Sequence, residues 1–350
     1  MSSLEEAQQR DLHSHRPRAQ QLQCQRFVTR LTWKGRKSGW KAHEALKQSL
    51  PGGLDQGTIT IMSLNRWFEG DPATAPQERL KALLSELAAL SADVVNLQEV
   101  TQSAIRTFQD DDQFRKKWIV SSFDPGIYAK EGHGLLTLIN KHTTDIVNSS
   151  RYPLDEHPDE YLRSNRTLLV SEVVKNGVHV CIINAHLNTA RLEFTTASAY
   201  QEARARQVAC RNYQISVAST IAQTFKASDG SKRVIFAGDM NLAYAEEELA
   251  LYFRDFEDAW EMLYGSGGIS GYTFGITPWS FKTNVPRGRP DRIAFMGKLR
   301  PVRSEILFTD PLPLAPDMRE LLGHDVYLSD HAGVLAEFEL HIPGTKNGRV

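Results

Sequence analysis

From Thr58 onward the chain switches between two hydrophobic rhythms. Thr58-Ile-Thr-Ile-Met-Ser-Leu alternates with a period near two, as a strand does. After Pro76, Leu80, Leu83, Leu84, Leu87 and Leu90 recur at three- and four-residue spacing, which predicts a helix opened by a proline. Asp93-Val-Val-Asn-Leu reads as a short buried strand. Residues 167–174 and 178–185 read as two strands joined by Asn176-Gly177, a strong hairpin signal. Residues 199–225 read as a long helix, 233–237 as a strand running into Gly238-Asp239, and 291–296 and 332–340 as late strands. Strands paired by hairpins imply mixed rather than wholly parallel sheets. With no linker-like shift in composition, residues 55–343 are expected to form one α/β domain.

Charge changes the picture at the N-terminus. Residues 1–50 hold ten Lys/Arg against four Asp/Glu, a balance of +6 inside a chain whose net charge is −1. The near-neutral total excludes a protein that binds nucleic acid by bulk charge alone. The first 25 residues are rich in Gln, Arg and Ser and cannot support a core, so 1–50 is expected to be a basic, partly flexible leader. Within it, Trp33-Lys-Gly-Arg-Lys-Ser-Gly-Trp-Lys interleaves two indoles with four basic residues. It suits a nucleic-acid contact or, more commonly, rings that pack the leader onto the domain. Cys24, Cys181 and Cys210 are too few and too far apart for a disulfide scaffold or a zinc site. No apolar run reaches the roughly 18 residues of a membrane span, and Met1-Ser-Ser-Leu-Glu-Glu lacks the features of a signal peptide. A soluble intracellular protein is expected.

Chemistry enters where the strands stop. Strand 58–64 runs into Asn65, 93–97 into Gln98-Glu99, 178–185 into His186-Leu-Asn188, and 233–237 into Gly238-Asp239-Met-Asn241, while Ser329-Asp330-His331 lies near the C-terminus. Taken singly, each has a plain structural reading as a turn residue, a helix cap or a buried histidine. Together, at strand ends that converge on one edge of a layered sheet, they describe a pocket lined by oxygen ligands and imidazoles.

Ser63-Leu-Asn65, Leu97-Gln-Glu99-Val, Asn184-Ala-His186-Leu, Gly238-Asp239-Met-Asn241, Arg289-Pro-Asp291-Arg-Ile and Ser329-Asp330-His331 follow in series. The set resembles the endonuclease/exonuclease/phosphatase superfamily, the DNase I and exonuclease III type, over about four fifths of the chain. The resemblance implies a four-layer α/β sandwich, two mixed sheets flanked by helices, and Mg²⁺-dependent phosphoester hydrolysis in which Mn²⁺ can substitute. By the same resemblance Glu99 is the main metal ligand, with Asn65 beside it and Asp330 acting through water. Asp239 positions and deprotonates the attacking water, and Asn241 holds that geometry together with a phosphate oxygen. His186 and His331 donate to the phosphoryl oxygens, and Asp291 orients His331.

Within the superfamily, Asn184-Ala-His186-Leu-Asn-Thr189-Ala-Arg191, a helical Ala203-Arg-Ala-Arg206-Gln207 and Gly271-Tyr-Thr-Phe274 resemble the 5′-tyrosyl-DNA phosphodiesterases. That implies DNA, at a 5′ or single-stranded end, as partner, with Thr189, Arg191 and Phe274 on the substrate. It also implies a monomer and a nuclear repair role. The sequence departs from the pattern in Leu64 before Asn65, in Thr189-Ala190 and in Phe274, where that family has Trp, Ser-Thr and Trp. Two other classes stay open. One is a lipid or inositol phosphate hydrolase, since Asn65-Arg-Trp67 echoes the neutral sphingomyelinases while the 5-phosphatase run Pro-Ala-Trp-Cys-Asp-Arg is absent. The other is an inactive binding protein, which would need a lost catalytic residue although every core position is filled.

Overall fold

Residue parity along the strands decides what faces what. The structure is a computed structural model. It describes the backbone of 30–33 and 40–43, and residues 57–340 apart from 69, 122–131, 155–165, 190–196, 226–229, 243–254, 266–270 and 277–286. The expected N-terminal tail and Arg191 lie outside the described residues.

One sheet contains β1 (Arg30–Trp33), β2 (Trp40–His43), β3 (Thr58–Asn65), β4 (Val94–Thr101), β5 (Trp118–Val120), β6 (His133–Asn140), β13 (Leu299–Leu307) and β14 (Gly333–Leu340). Its order is β13-β14-β3-β4-β6-β5-β1-β2. The other contains β7 (Asp145–Pro153), β8 (Thr167–Lys175), β9 (Val178–His186), β10 (Arg233–Asp239), β11 (Glu257–Asp258) and β12 (Asp291–Gly297), in the order β11-β12-β10-β9-β8-β7. Both sheets are mixed: β3–β4 and β9–β10 are parallel, and the remaining pairs are antiparallel. The hairpin forms at Asn176-Gly177, where both residues take positive φ as a primed turn requires.

Three apolar layers build the sandwich. Ile59 and Ile61 of β3, Val180 and Ile182 of β9, Ile235 of β10 and Ile293 of β12 meet between the sheets. Met62 and Leu64 point the other way, onto Leu80, Leu83 and Leu87 of helix α1 (Pro76–Ala89), Ile105 and Phe108 of α2 (Gln102–Asp110) and Phe114 of α3 (Asp112–Lys117). Cys181, Ile183, Val234 and Phe236 point onto Ile215, Ala218 and Ala222 of α4 (Ala197–Thr224). The layers are therefore helix, sheet, sheet, helix, as the resemblance implies. A 3₁₀ helix (Pro72–Thr74) and two short helices, α5 (Ala259–Tyr264) and α6 (Pro316–Leu322), complete the described elements.

The inter-sheet layer is polar at both ends. At the end where β3 and β4 begin, Asp93 is buried and accepts from Lys175 Nζ at 2.9 and 3.0 Å, from the Thr60 N–H at 2.8 Å and from the Thr143 hydroxyl. Lys175 lies at the end of β8, so this pair joins the two sheets. The opposite end holds the candidate site.

Candidate active site

The parity that sends Ile59 and Ile61 between the sheets also sends Ser63 and Asn65 there. The same rule carries Asn184 and His186 on from Val180 and Ile182, Asp239 on from Ile235 and Ala237, and Asp291 back from Ile293. Register brings them side by side. Asp239 is opposite His186 on one side and Asp291 on the other, and Asn65 is opposite Gln98. Glu99 needs a further device. Plain alternation would aim it at the helices with Val95 and Leu97. A bulge between Leu97 and Val100, with Glu99 at φ 55°, inserts one residue and turns its carboxylate toward the pocket. The strand thus runs on to Thr101 rather than stopping before Gln98-Glu99.

Asn65 Nδ2 donates to Glu99 Oε1 at 3.2 Å and to Asp239 Oδ2 at 2.9 Å, while its Oδ1 accepts from the Trp67 N–H. The other Glu99 oxygen accepts from the Phe68 N–H at 3.0 Å. His186 Nε2 stands 3.5 Å from Asp239 and 3.9 Å from Glu99. Its Nδ1 lies 3.1 Å from Arg166 Nη1. A guanidinium can only donate, so Nδ1 accepts and the ring proton sits on Nε2, facing the carboxylates. Burial, then the charges of Arg166, His133 and His331, push His186 well below its ordinary pKa, so the ring is neutral. His331 is the opposite case. Burial works against its charge, but Asp291, Asp239 and Asp330 outweigh it and hold the imidazole well above its usual range. Its Nδ1 pairs with Asp291 Oδ2 at 2.7 Å, and its Nε2 faces Asp239 at 3.9 Å. The Asp239 carboxyl is pushed up by burial and by Asp291, and drawn back by His331, Asn65 and the Asn241 N–H.

Further residues hold this cluster in shape. Thr273 Oγ1 donates to Asp291 at 2.6 Å, and Phe274 packs its ring against His331 at 4.7 Å. Asn241, at φ 52°, gives its N–H to Asp239 Oδ1 and its side-chain amide to the Leu187 carbonyl. It braces the loops, and its amide NH₂ is committed there. Ser329 donates to the Asn65 carbonyl and accepts from the His331 N–H, binding the two loops together. Asp330 is half-buried beside them, and burial together with Glu99 and Asp239 lifts its carboxyl to about 6, against the pull of His331 and Arg79. Thr189 is exposed on the loop after His186.

Sequence reasoning did not anticipate several of these positions. Gln98 bridges the sheets by donating to Ser63 and to Asn184, whose own amide reaches the carbonyls of Leu97 and Leu136. Arg79, 2% exposed, donates to the carbonyls of Arg66, Trp67 and Leu328. Its signal was an arginine on the Leu83–Leu87 face of α1. The Arg-x-x-Gln spacing that reaches the site is Arg211-Asn-Tyr-Gln214, which holds Asn188 by its carbonyl and its N–H. Arg206, in the stretch quoted from sequence, is instead exposed and pairs with Glu202. Arg289 and Arg292, flanking Asp291, are taken up by Asp258 and Glu261. Cys181 and Cys210 are buried with their thiols pushed up by burial, so neither is a nucleophile.

Glu99, Asp239, Asp291 and Asp330 give the pocket an oxygen-rich donor set. Among the described residues no lysine lies within ion-pair distance of the first three. Among the described residues Asp239 and Asp291 bring carboxylate oxygens within 4.8 Å of each other beside the charged His331 ring, and Asp291 Oδ1 is buried without a hydrogen-bond partner. Such a set fits a hard divalent cation.

The model of the endonuclease/exonuclease/phosphatase family matches residues 62–331. The chain belongs to this family. Its members hydrolyse phosphoester bonds and are typically dependent on a divalent metal. Similar folds among solved structures include D. rerio TDP2 humanized by 14 mutations, at 21% identity and TM-score 0.60, over 81% of this chain and 99% of that one. D. rerio TDP2 complexed with single strand DNA product superposes at 21% identity and TM-score 0.59, over 80% and 98%. The Bacteroides thetaiotaomicron mannosyl-6-phosphatase Bt3783 does so at 15% identity and TM-score 0.55, over 80% and 99%. No curated protein matches the chain. Among the described residues no helix is long and apolar enough to cross a membrane.

Proposed function

We propose that this protein is a Mg²⁺-dependent phosphodiesterase that hydrolyses phosphodiester bonds at DNA ends, 5′-tyrosyl ends included, in DNA repair. The observation that carries the reading is the convergence of Glu99, Asp239, His186 and the His331–Asp291 pair around Asn65. The TDP2 fold, one example of which holds single strand DNA product, supports the substrate class.

Each residue has a part. Glu99 is the main metal ligand, with Asp330 beside it. Asn65 joins them only by turning its amide, because its nitrogen now faces Glu99 and Asp239. Bound Mg²⁺ supplies Lewis-acid neutralisation of a phosphoryl oxygen and of the leaving group. Asp239, fixed by Asn65 and Asn241, accepts the proton of the attacking water. His331 stays charged and donates from Nε2 to a phosphoryl oxygen as negative charge builds. Neutral His186 donates from its own Nε2–H. Phe274 keeps the His331 ring in place and, with Thr189 and Arg191, serves substrate binding.

A substrate panel tests the reading: 5′-tyrosyl oligonucleotide, abasic duplex, poly(A), sphingomyelin, an inositol polyphosphate and mannose 6-phosphate, each with Mg²⁺ and with Mn²⁺. Turnover at DNA ends is expected. Turnover of sphingomyelin, inositol phosphate or mannose 6-phosphate alone would reject the DNA reading and leave a phosphoesterase of another class.

A further inference from the structure

One exposed aromatic residue stands against the reactive cluster without being part of it. Phe68 is 42% exposed, yet its own N–H donates to Glu99 Oε2 at 3.0 Å. Its ring lies nearly parallel to that of His133, centroids 4.6 Å apart and planes 24° apart, and His133 is 6.2 Å from His186. His133 reaches this place by the parity of β6, two strand periods from Thr137 and three from Ile139, which faces the inter-sheet core.

Phe68 is displayed by a loop held from several sides. Trp67 takes φ 54°, a backbone region that favours glycine, and that turn carries the chain outward. The Trp67 N–H is held by Asn65, its carbonyl by Arg79, and the Arg79 guanidinium lies 4.5 Å over the indole. A buried arginine and a ligand carboxylate thus hold both polar groups of the peptide unit that leads into a phenyl group left open to solvent.

We infer that Phe68, backed by His133, is a stacking shelf for a planar ring that the substrate carries next to the scissile phosphate. Rings stack on such a surface without hydrogen-bond readout, so the shelf selects phosphoesters that bear a nucleobase or an aryl group over those of sugars. The inference rests on the phosphoester reading of the adjacent site.

Kinetics with thymidine 5′-p-nitrophenyl phosphate test it. Phe68→Ala keeps the backbone N–H to Glu99, so a selective defect reports the ring. KM is expected to rise about tenfold with kcat within about twofold, and Phe68→Trp is expected to restore KM. Inhibition constants for thymidine 5′-monophosphate and phenyl phosphate distinguish base from aryl group, because Phe68→Ala weakens the one whose ring rests on the shelf. Inhibition by inorganic phosphate is expected to stay the same. An unchanged KM, a loss confined to kcat, or equal weakening for inorganic phosphate would overturn the shelf. If the wild type turns over no phosphoester, the functional reading fails and fluorescence decides the shelf alone. Quenching of the Phe68→Trp signal by thymidine 5′-monophosphate or phenyl phosphate beyond that by inorganic phosphate supports it. Identical traces overturn it.

Discussion

The two ends of the inter-sheet layer bury carboxylates between the same pair of sheets and treat them in opposite ways. At one end Asp93 has Lys175 on both oxygens, and the Thr60 N–H and Thr143 hydroxyl supply further donors. Its charge is neutralised and its acceptors are filled. At the other end Glu99, Asp239 and Asp291 crowd around one asparagine and two imidazoles, and an oxygen of Asp291 has no partner. A neutralised buried pair is part of the framework. A cluster with surplus negative charge, in which burial and neighbouring carboxylates push up Asp239 and Asp330, is ready for a cation and a substrate. One buried lysine neutralises the single carboxylate of the first end, whereas at the second the charged His331 answers only part of the negative charge.

Substitutions at the two ends should therefore fail differently. Asp239→Asn is expected to lower kcat/KM on a phosphodiester reporter by at least about 1,000-fold, since it removes the proton acceptor. Because it also removes a crowded buried charge, the midpoint of thermal unfolding should hold or rise. A fall in melting temperature with activity retained would reverse the assignment. Lys175→Met should do the converse. It leaves Asp93 charged and buried, and urea unfolding should show a loss of about 4 kcal/mol with kcat per folded molecule unchanged. Gln98→Met sits between the two cases, because Gln98 bridges the sheets next to Glu99. Loss of its bonds to Ser63 and Asn184 should cost about 2 kcal/mol and lower kcat modestly. If stability does not change, the bridge is not holding the sheets.

The smallest effect is on pH. Burial opposes the charge on Asp258, but Arg289, Arg292 and the Glu261 N–H hold its carboxyl below the ordinary value of 3.8. A folded pKa below the unfolded one adds stability that is complete above 3.8 and lost as the pH falls through the lowered value. Asp258→Asn should flatten the decline of melting temperature on the acid side and keep the helix cap on Trp260. An unaltered acid slope would show that Asp258 does not supply it.

Much of this was legible in the chain itself. The leucine spacing after Pro76 became α1 (Pro76–Ala89), Asn176-Gly177 became the hairpin, and the long helix expected at 199–225 runs from Ala197 to Thr224. The strand-end residues came together because a period of two carries polarity from the core outward along one face: Ile59, Ile61, Ser63, Asn65. Asp291 was found through its motif, although it opens β12 rather than closing a strand. Where local rules stopped, the misreadings are instructive. The strand through Gln98-Glu99 reads in the sequence as stopping at Leu97 because a bulge breaks its alternation, and no short-range rule signals a bulge that turns a carboxylate into the space between the sheets. Arg204 and Arg211 each open an Arg-x-x-Gln run on α4, and only the packing of that helix selects Arg211 for the Asn188 loop.

The chain alone settles element types, strand faces and the inventory of acids, imidazoles and amides, because these follow from spacing and side-chain chemistry within about ten residues. Tertiary structure decides which of those groups are partnered. Lys175 meets Asp93 across 82 positions and His331 meets Asp291 across 40, while Arg79 reaches Leu328 across 249. Charge state, tautomer and exposure depend on such distant neighbours. That dependence makes one buried aspartate a brace and leaves another in the crowded setting of the proposed base, and it leaves Phe68 open beside Glu99.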